Sequence, residues 1–246
     1  AFASLSEGES IISNLLNSND TNTAIKVYKS FGAEISKNNK NIRIKGFNGN
    51  PKFPNKTIDV ANSGTTCRIA IGTAVLLSDG YANFDGDSQT RKRPMGPLLY
   101  ALKNLGATIK SETQDGKLPV SVAGPWIGGS TKVDGITSQF LTSILINAPF
   151  GIDTTHIKPF NLNEKPYVEM TLWWLEKLGL NFTHHNLEEF HIPGGQTLKG
   201  FKIDVPADFS SAAFLAAAGA LPGGNVTLSD LDFSDSQGDK IFFKIL

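Results

Sequence analysis

One arrangement of apolar and polar positions occurs three times along the chain. Phe31-Gly32-Ala33-Glu34-Ile35, Leu105-Gly106-Ala107-Thr108-Ile109 and Leu178-Gly179-Leu180-Asn181-Phe182 each read as a helix end, a glycine and the start of an alternating strand. A second alternating run follows each, at Ile42-Arg43-Ile44, Val120-Ser121-Val122 and Phe190-His191-Ile192, which predicts a hairpin. The glycines recur at a period of about 73 residues. Their place just past a helix is one where positive φ is cheap only without a side chain.

The other half of the unit repeats with the same period. Residues 57–60, 131–133 and 202–205 alternate as strands. Each leads through a Ser/Thr-rich turn into an apolar helix, at 64–77, 137–147 and 210–220. A further strand follows, at 81–84, 154–157 and 225–228. Next comes a second helix, whose start is marked by Arg93-Pro94 or Lys165-Pro166, because proline suits a first helical turn. The unit is therefore β-α-β-α-β-β. In this register residues 1–8 form the tail of a first helix, and 206–246 form the first half of a further unit. The pattern predicts an α/β lobe of βαβαββ units over 1–205, its first unit incomplete, and the beginning of a second lobe over 206–246. The chain reads as a piece of something longer, cut at both ends.

Composition narrows the function classes. The 246 residues suffice for an ample core, and 24 glycines suit a loop-punctuated α/β protein. Lys+Arg and Asp+Glu balance at 23 each, so no global field draws the chain to nucleic acid or an anionic membrane. Any anion site must be local. The single cysteine, Cys67, excludes an internal disulfide and a multi-cysteine zinc site, and suits the reducing cytoplasm. No stretch reads as a secretory signal, and no apolar run approaches a bilayer span. His156 stands alone on a strand, while His184, His185 and His191 fall in a hairpin without a ligand cluster, so no metal site is expected.

The chemistry concentrates at the turns before the helices. Asn62-Ser63-Gly64-Thr65-Thr66-Cys67-Arg68 joins a strand to a helix through small and hydroxyl residues. The first helical N–H groups are then free and the helix dipole adds positive charge, which makes a cradle for phosphate or carboxylate. A plain helix cap is the competing reading. The repeat puts equivalent turns at one end, so Thr137-Ser138-Gln139 and residues 208–211 would share the cleft. Asp208 and the Ala-rich helix after it favour a simple cap at the third. In the loop from Asp85 to Pro94, Arg91 and Lys92 read as a solvated face. Arg93 differs, since beside a helix-starting proline its guanidinium can clamp a carboxylate or phosphate. Its counterpart one unit later is Asn163-Glu164-Lys165-Pro166-Tyr167, with the Tyr167 hydroxyl as a donor. Cys67 reads as a small buried thiol rather than a nucleophile.

Taken together, the 62–68 turn, the Gly86-Asp87…Arg93-Pro94-Met95 loop, Ser138-Gln139-Phe140-Leu141-Thr142 and Lys165-Pro166-Tyr167 resemble the 5-enolpyruvylshikimate-3-phosphate synthase family in order and spacing. The resemblance runs essentially the whole length. It implies a two-lobed monomer, each lobe an inverse α/β barrel of three βαβαββ units, without metal or organic cofactor. Such an enzyme moves the enolpyruvyl group of phosphoenolpyruvate to the 5-hydroxyl of shikimate 3-phosphate and releases phosphate. By the resemblance, Asn62, Gly64, Thr65, Arg93 and Gln139 would bind phosphoenolpyruvate. Thr137, Ser138, Gln139 and Tyr167 would bind shikimate 3-phosphate.

Two departures bear on this expectation. The family's Pro-Gly-Ser-Lys-Ser stretch would precede Ala1 and its catalytic acid and base would follow Leu246, so no catalytic residue is assigned and the 246 residues alone are expected to be inactive. Glu164 stands where the family usually has a phosphate-binding serine. It is expected to point out of the cleft, with Asn161, Asn163 or a water taking over the contact. The alternatives are a non-catalytic anion-binding lobe and the related UDP-N-acetylglucosamine enolpyruvyl transferase. The latter usually carries a reactive cysteine in the loop matching 85–93, where this chain has none.

Overall fold

The computed structural model describes residues 1–38, 41–111, 113, 115–221 and 224–246. The chain opens with α1 (Phe2–Leu5), β1 (Glu9–Ser13), α2 (Asn19–Ser30), β2 (Glu34–Lys37) and β3 (Asn41–Lys45). The next unit holds β4 (Ile58–Asp59), α3 (Gly64–Ala74), β5 (Ala82–Asp85), α4 (Gly96–Lys103), β6 (Thr108–Ser111) and β7 (Val120–Ala123). A third repeats it with β8 (Gly129–Asp134), α5 (Ser138–Asn147), β9 (Thr155–Phe160), α6 (Lys165–Lys177), β10 (Thr183–His185) and β11 (Glu189–Ile192). The chain closes with β12 (Lys202–Asp204), α7 (Phe209–Gly219) and α8 (Phe242–Ile245).

The glycines of the repeat do what their spacing predicts. Gly32, Gly106 and Gly179 take φ of 99°, 110° and 73°. In each case the next amide reaches back five residues: Ala33 N to Tyr28 O, Ala107 N to Leu102 O and Leu180 N to Leu175 O, at 2.9–3.1 Å. That bond satisfies a helix-end carbonyl and turns the chain into the following hairpin.

The strands form three four-stranded sheets of one design, ordered β4-β5-β7-β6, β8-β9-β11-β10 and β12-β1-β3-β2. In each, the first pair is parallel and the other two pairs are antiparallel. β12, almost 190 residues after β1, pairs Ile11 with Lys202 and Ser13 with Asp204. It thereby supplies the strand that the first unit lacks, so the unit left incomplete along the sequence is completed in space.

Helices α3 and α5 lie inside and are buried on nearly all sides, whereas α2, α4 and α6 bury one face. Contacts climb α3 and α5 in the same sense, so the two are parallel. Arg68 Nη1 donates to Gln139 Oε1 at their starts, Ser143 Oγ to Arg68 O at 2.6 Å further in, and Thr73 Oγ1 to Asn147 Oδ1 at 2.9 Å near their ends. Gly72 permits this approach, because a Cβ there would lie 2.6 Å from both Asn147 Nδ2 and Ser143 Oγ. α6 is parallel to α5, joined by Ser138–Glu164 and Thr142–Thr171 contacts. Three helix starts thus gather at one end.

Three local expectations are corrected. Helix α4 begins at Gly96 with Pro97 in its first turn, so Pro94 lies outside it, after a 3-10 turn at Thr90–Lys92. Residues 225–228 form no strand. His156 is not isolated, since its Nδ1 lies 2.6 Å from that of His191 across the β9–β11 pair. No group of three metal-ligating side chains occurs among the described residues, and none of their helices is long and apolar enough to cross a membrane.

Candidate anion-binding site

The turn before α3 is built as a cap with an additional cation laid over it. Ser63 is the N-cap residue and its Oγ accepts from Thr66 N. Arg93 Nη2 donates to Asn62 Oδ1 at 3.2 Å, and a Cβ on Gly64 would lie 2.5 Å from Arg93 Nη1. The guanidinium therefore rests against the backbone of the helix start, a position that glycine alone leaves open.

The loop that carries Arg93 is pinned to the same turn. Asn62 Nδ2 donates to Asp87 Oδ2 at 2.7 Å, and Thr90 Oγ1 donates to Ala61 O at 2.9 Å. The Thr90 N–H, followed by Asn62 and the Gln89 N–H, holds the Asp87 carboxyl below its ordinary range. Arg91 makes a two-pronged pair with Asp85, at 2.7 and 2.5 Å, and holds that carboxyl down as well. Arg91 thus braces the loop, while Lys92 is exposed.

At the start of α5, Thr137 is the N-cap and its Oγ1 accepts from Gln139 N. Ser138 donates twice, from N at 3.1 Å and from Oγ at 2.9 Å, to a single oxygen, Glu164 Oε2. This overturns the outward-facing Glu164 expected from the sequence. By position Glu164 is the N-cap of α6, but it takes φ 54°, ψ 41° and its carboxylate caps α5 instead. The physical reason is the positive end of α5, which attracts the nearest carboxylate. Asn161 and Asn163 are exposed and do not substitute for it. Tyr167, in the first turn of α6, is half exposed, and Thr65 in the first turn of α3 is exposed.

Arg68 links the two helix starts. Its Nη1 donates to Gln139 Oε1 at 2.6 Å, its guanidinium lies 5.1 Å from the Phe140 ring centre, and its Nε is shielded from solvent with no acceptor. Burial lowers its pKa, with Arg93 nearby acting in the same direction and Glu164 opposing. Sequence reasoning named Arg68 inside the turn motif but gave it no role. Its position in the first turn of a helix starting at an anion cradle was the available signal.

The four arginines of the chain divide cleanly. Arg43 pairs with Glu9 and Arg91 with Asp85, whereas Arg68 and Arg93 meet at α3 and have no carboxylate within 4 Å among the described residues. Two guanidiniums at a helix N-terminus concentrate positive charge locally in a chain of zero net charge. Cys67, buried beneath them, is pushed up to about 12 by desolvation and is no nucleophile. The start of α7, which the sequence pattern grouped with those of α3 and α5, differs, because Asp208 accepts from Ser210 N and Ser211 N and caps α7 by itself.

The chain is thus a pseudo-threefold α/β lobe with three helix starts at one end and, among the described residues, two guanidiniums there that pair with no carboxylate. Among known proteins, the family model of EPSP synthase (3-phosphoshikimate 1-carboxyvinyltransferase) matches residues 1–246, and the chain belongs to this family. It is 47% identical over 245 residues to the 3-phosphoshikimate 1-carboxyvinyltransferase of Acetivibrio thermocellus and 44% identical to that of Ruminiclostridium cellulolyticum. Each match covers 100% of this chain and 58% of the relative, so the chain spans little more than half their length. A solved EPSP synthase from Acinetobacter baumannii shares the fold, with a TM-score of 0.80 at 24% identity, over 94% of this chain and 52% of that one.

Proposed function

We propose that this lobe serves the transfer of the enolpyruvyl group from phosphoenolpyruvate to the 5-hydroxyl of shikimate 3-phosphate, with release of phosphate. The observation that carries the reading is that Arg68 and Arg93, at the start of α3, are hydrogen-bonded to amides but pair with no carboxylate among the described residues. Asn62, Gly64, Thr65 and Arg93 bind phosphoenolpyruvate there, with Arg68 adding charge. Thr137, Ser138 and Tyr167 bind shikimate 3-phosphate at the starts of α5 and α6. Gln139, held by Arg68, stands between the two and orients them. Binding both reactants side by side contributes proximity, and fixed positive charge stabilises the departing phosphate. Residues 206–246 begin a second lobe, and the whole protein acts as a cytoplasmic monomer.

The transfer also requires a proton delivered to the methylene carbon and one taken from the hydroxyl. Among the described residues, Asp85 is tied to Arg91, Asp87 to Asn62 and Glu164 to Ser138. On this reading no acid or base is assigned within the 246 residues, which by themselves bind without turnover. In a phosphate-release assay this chain alone stays at background. In the protein completed by its second lobe, Arg93→Ala raises KM for phosphoenolpyruvate roughly 10- to 150-fold, about 1.5–3 kcal/mol for a lost charge-assisted hydrogen bond. Shikimate 3-phosphate and the Lys92→Ala control change little. Equal losses for both substrates, or at both positions, would sink the assignment.

A further inference from the structure

At the start of α5 the N–H groups of Ser138, Gln139 and Phe140 are already taken by the chain itself. Thr137 Oγ1 accepts from Gln139 N, and Thr137 O from Phe140 N. Ser138 gives both its N–H and its hydroxyl to Glu164 Oε2. One oxygen of a negative group that receives an N–H and an O–H at a helix start has the bonding of a phosphate oxygen in such a site. The carboxylate that does this is attached to a residue in the left-handed region, φ 54°, which side chains other than Gly and Asn adopt sparingly. Asn161 is also left-handed, φ 52°, and Asn163 N donates to Gly135 O, so the 161–164 turn folds Glu164 back over α5. Glu164 is nevertheless exposed as a residue, so its side chain can leave. Arg68 Nη1 donates to Gln139 Oε1 at 2.6 Å, which brings a positive charge to the residue next to Ser138.

We propose that Glu164 is an internal anion, which closes the start of α5 in the unliganded chain and must be displaced before a phosphoryl group can bind there. This rests on the reading of Thr137 and Ser138 as the shikimate 3-phosphate subsite. Residue 164 then sets the affinity of that subsite. A carboxylate and a phosphate cannot share the two Ser138 donors, and their like charges repel at that range. The handicap falls on phosphorylated ligands and leaves uncharged hydroxyl ligands unaffected, so Glu164 also narrows the preference for phosphate over its absence.

The test follows the Ser138 amide by heteronuclear NMR while inorganic phosphate, and separately shikimate 3-phosphate, is titrated into the protein and into its Glu164→Ser and Glu164→Gln variants. The glutamine keeps length and shape but carries no charge, which guards against a folding defect peculiar to serine. Removing the internal anion is expected to lower the apparent Kd of both ligands about tenfold. A change under threefold in both variants, with Ser138 still shifting, would overturn the displacement while leaving the subsite in place. A Ser138 amide that no ligand shifts in any of the three proteins would overturn the subsite and the displacement together.

Discussion

Gly72→Ala tests whether the close approach of α3 and α5 holds the two helix starts in register. In an open helix this change would stabilise by about 1 kcal/mol, because glycine is the poorer helix former. Here the new methyl would lie 2.6 Å from Asn147 Nδ2, 2.6 Å from Ser143 Oγ and 3.1 Å from Ser143 O. None of these is the free end of a flexible side chain. Asn147 Nδ2 is bound to Ile69 O at 3.2 Å and to Ser143 O at 2.8 Å, and Ser143 Oγ to Arg68 O at 2.6 Å. Overpacking costs about 1–3 kcal/mol. Each buried bond displaced costs about 1 kcal/mol, and more where a donor is left unpaired. Set against the propensity gain, the net loss is about 2–4 kcal/mol. For a chain of this size each kcal/mol moves Tm by about 2–4 °C, so a fall of roughly 4–16 °C is expected by calorimetry or circular dichroism. Adding Ser143→Ala should recover part of it, because it removes one of the clashing atoms and couples the two sites. A Tm that is unchanged or raised in Gly72→Ala would refute the packing argument. So would strictly additive effects in the double variant.

Two further outcomes follow from the loop that carries Arg93. Gly64→Ala should leave Tm within a few degrees, since the clashing atom, Arg93 Nη1, ends a flexible side chain. It should nevertheless weaken phosphoenolpyruvate several-fold by KM, with shikimate 3-phosphate unaffected; equal weakening of both would count against Arg93 as the phosphoenolpyruvate clamp. Asp87 should titrate below the ordinary carboxylate value, because the Thr90 N–H, Asn62 and the Gln89 N–H stabilise its charged form. With the folded pKa depressed, the pinning of the 85–93 loop is complete above about pH 4, the unfolded value, and is lost as pH falls through the folded one. The Thr90 amide shift, followed by NMR down the acid range, should move with that lower midpoint. An ordinary Asp87 titration would remove the pin.

Local chemistry was legible along the chain. The positive-φ glycines, the Ser63 and Thr137 caps, and Pro166 at the start of α6 each act within a few residues of sequence. The period of about 73 residues needed only repetition to be seen. At Pro94 the same local logic chose the wrong proline, because Pro97 stands three residues further on and is equally suited to a first turn.

What the tertiary structure decided depends on groups far apart in sequence. The pairing of β12 with β1, which completes the first sheet, is a match of backbone hydrogen bonds across almost the whole lobe and leaves no local signature. The Arg68–Gln139 bond exists because Gly72 lets two buried helices approach closely and in parallel. The meeting of His156 and His191 follows from strand register alone. Glu164 shows the limit most clearly. Its residue type predicted repulsion from a phosphate site, yet without the phosphate the strongest field near it is the positive end of α5. A side chain settles where the surrounding field directs it, and that field belongs to the assembled fold rather than to any stretch of sequence.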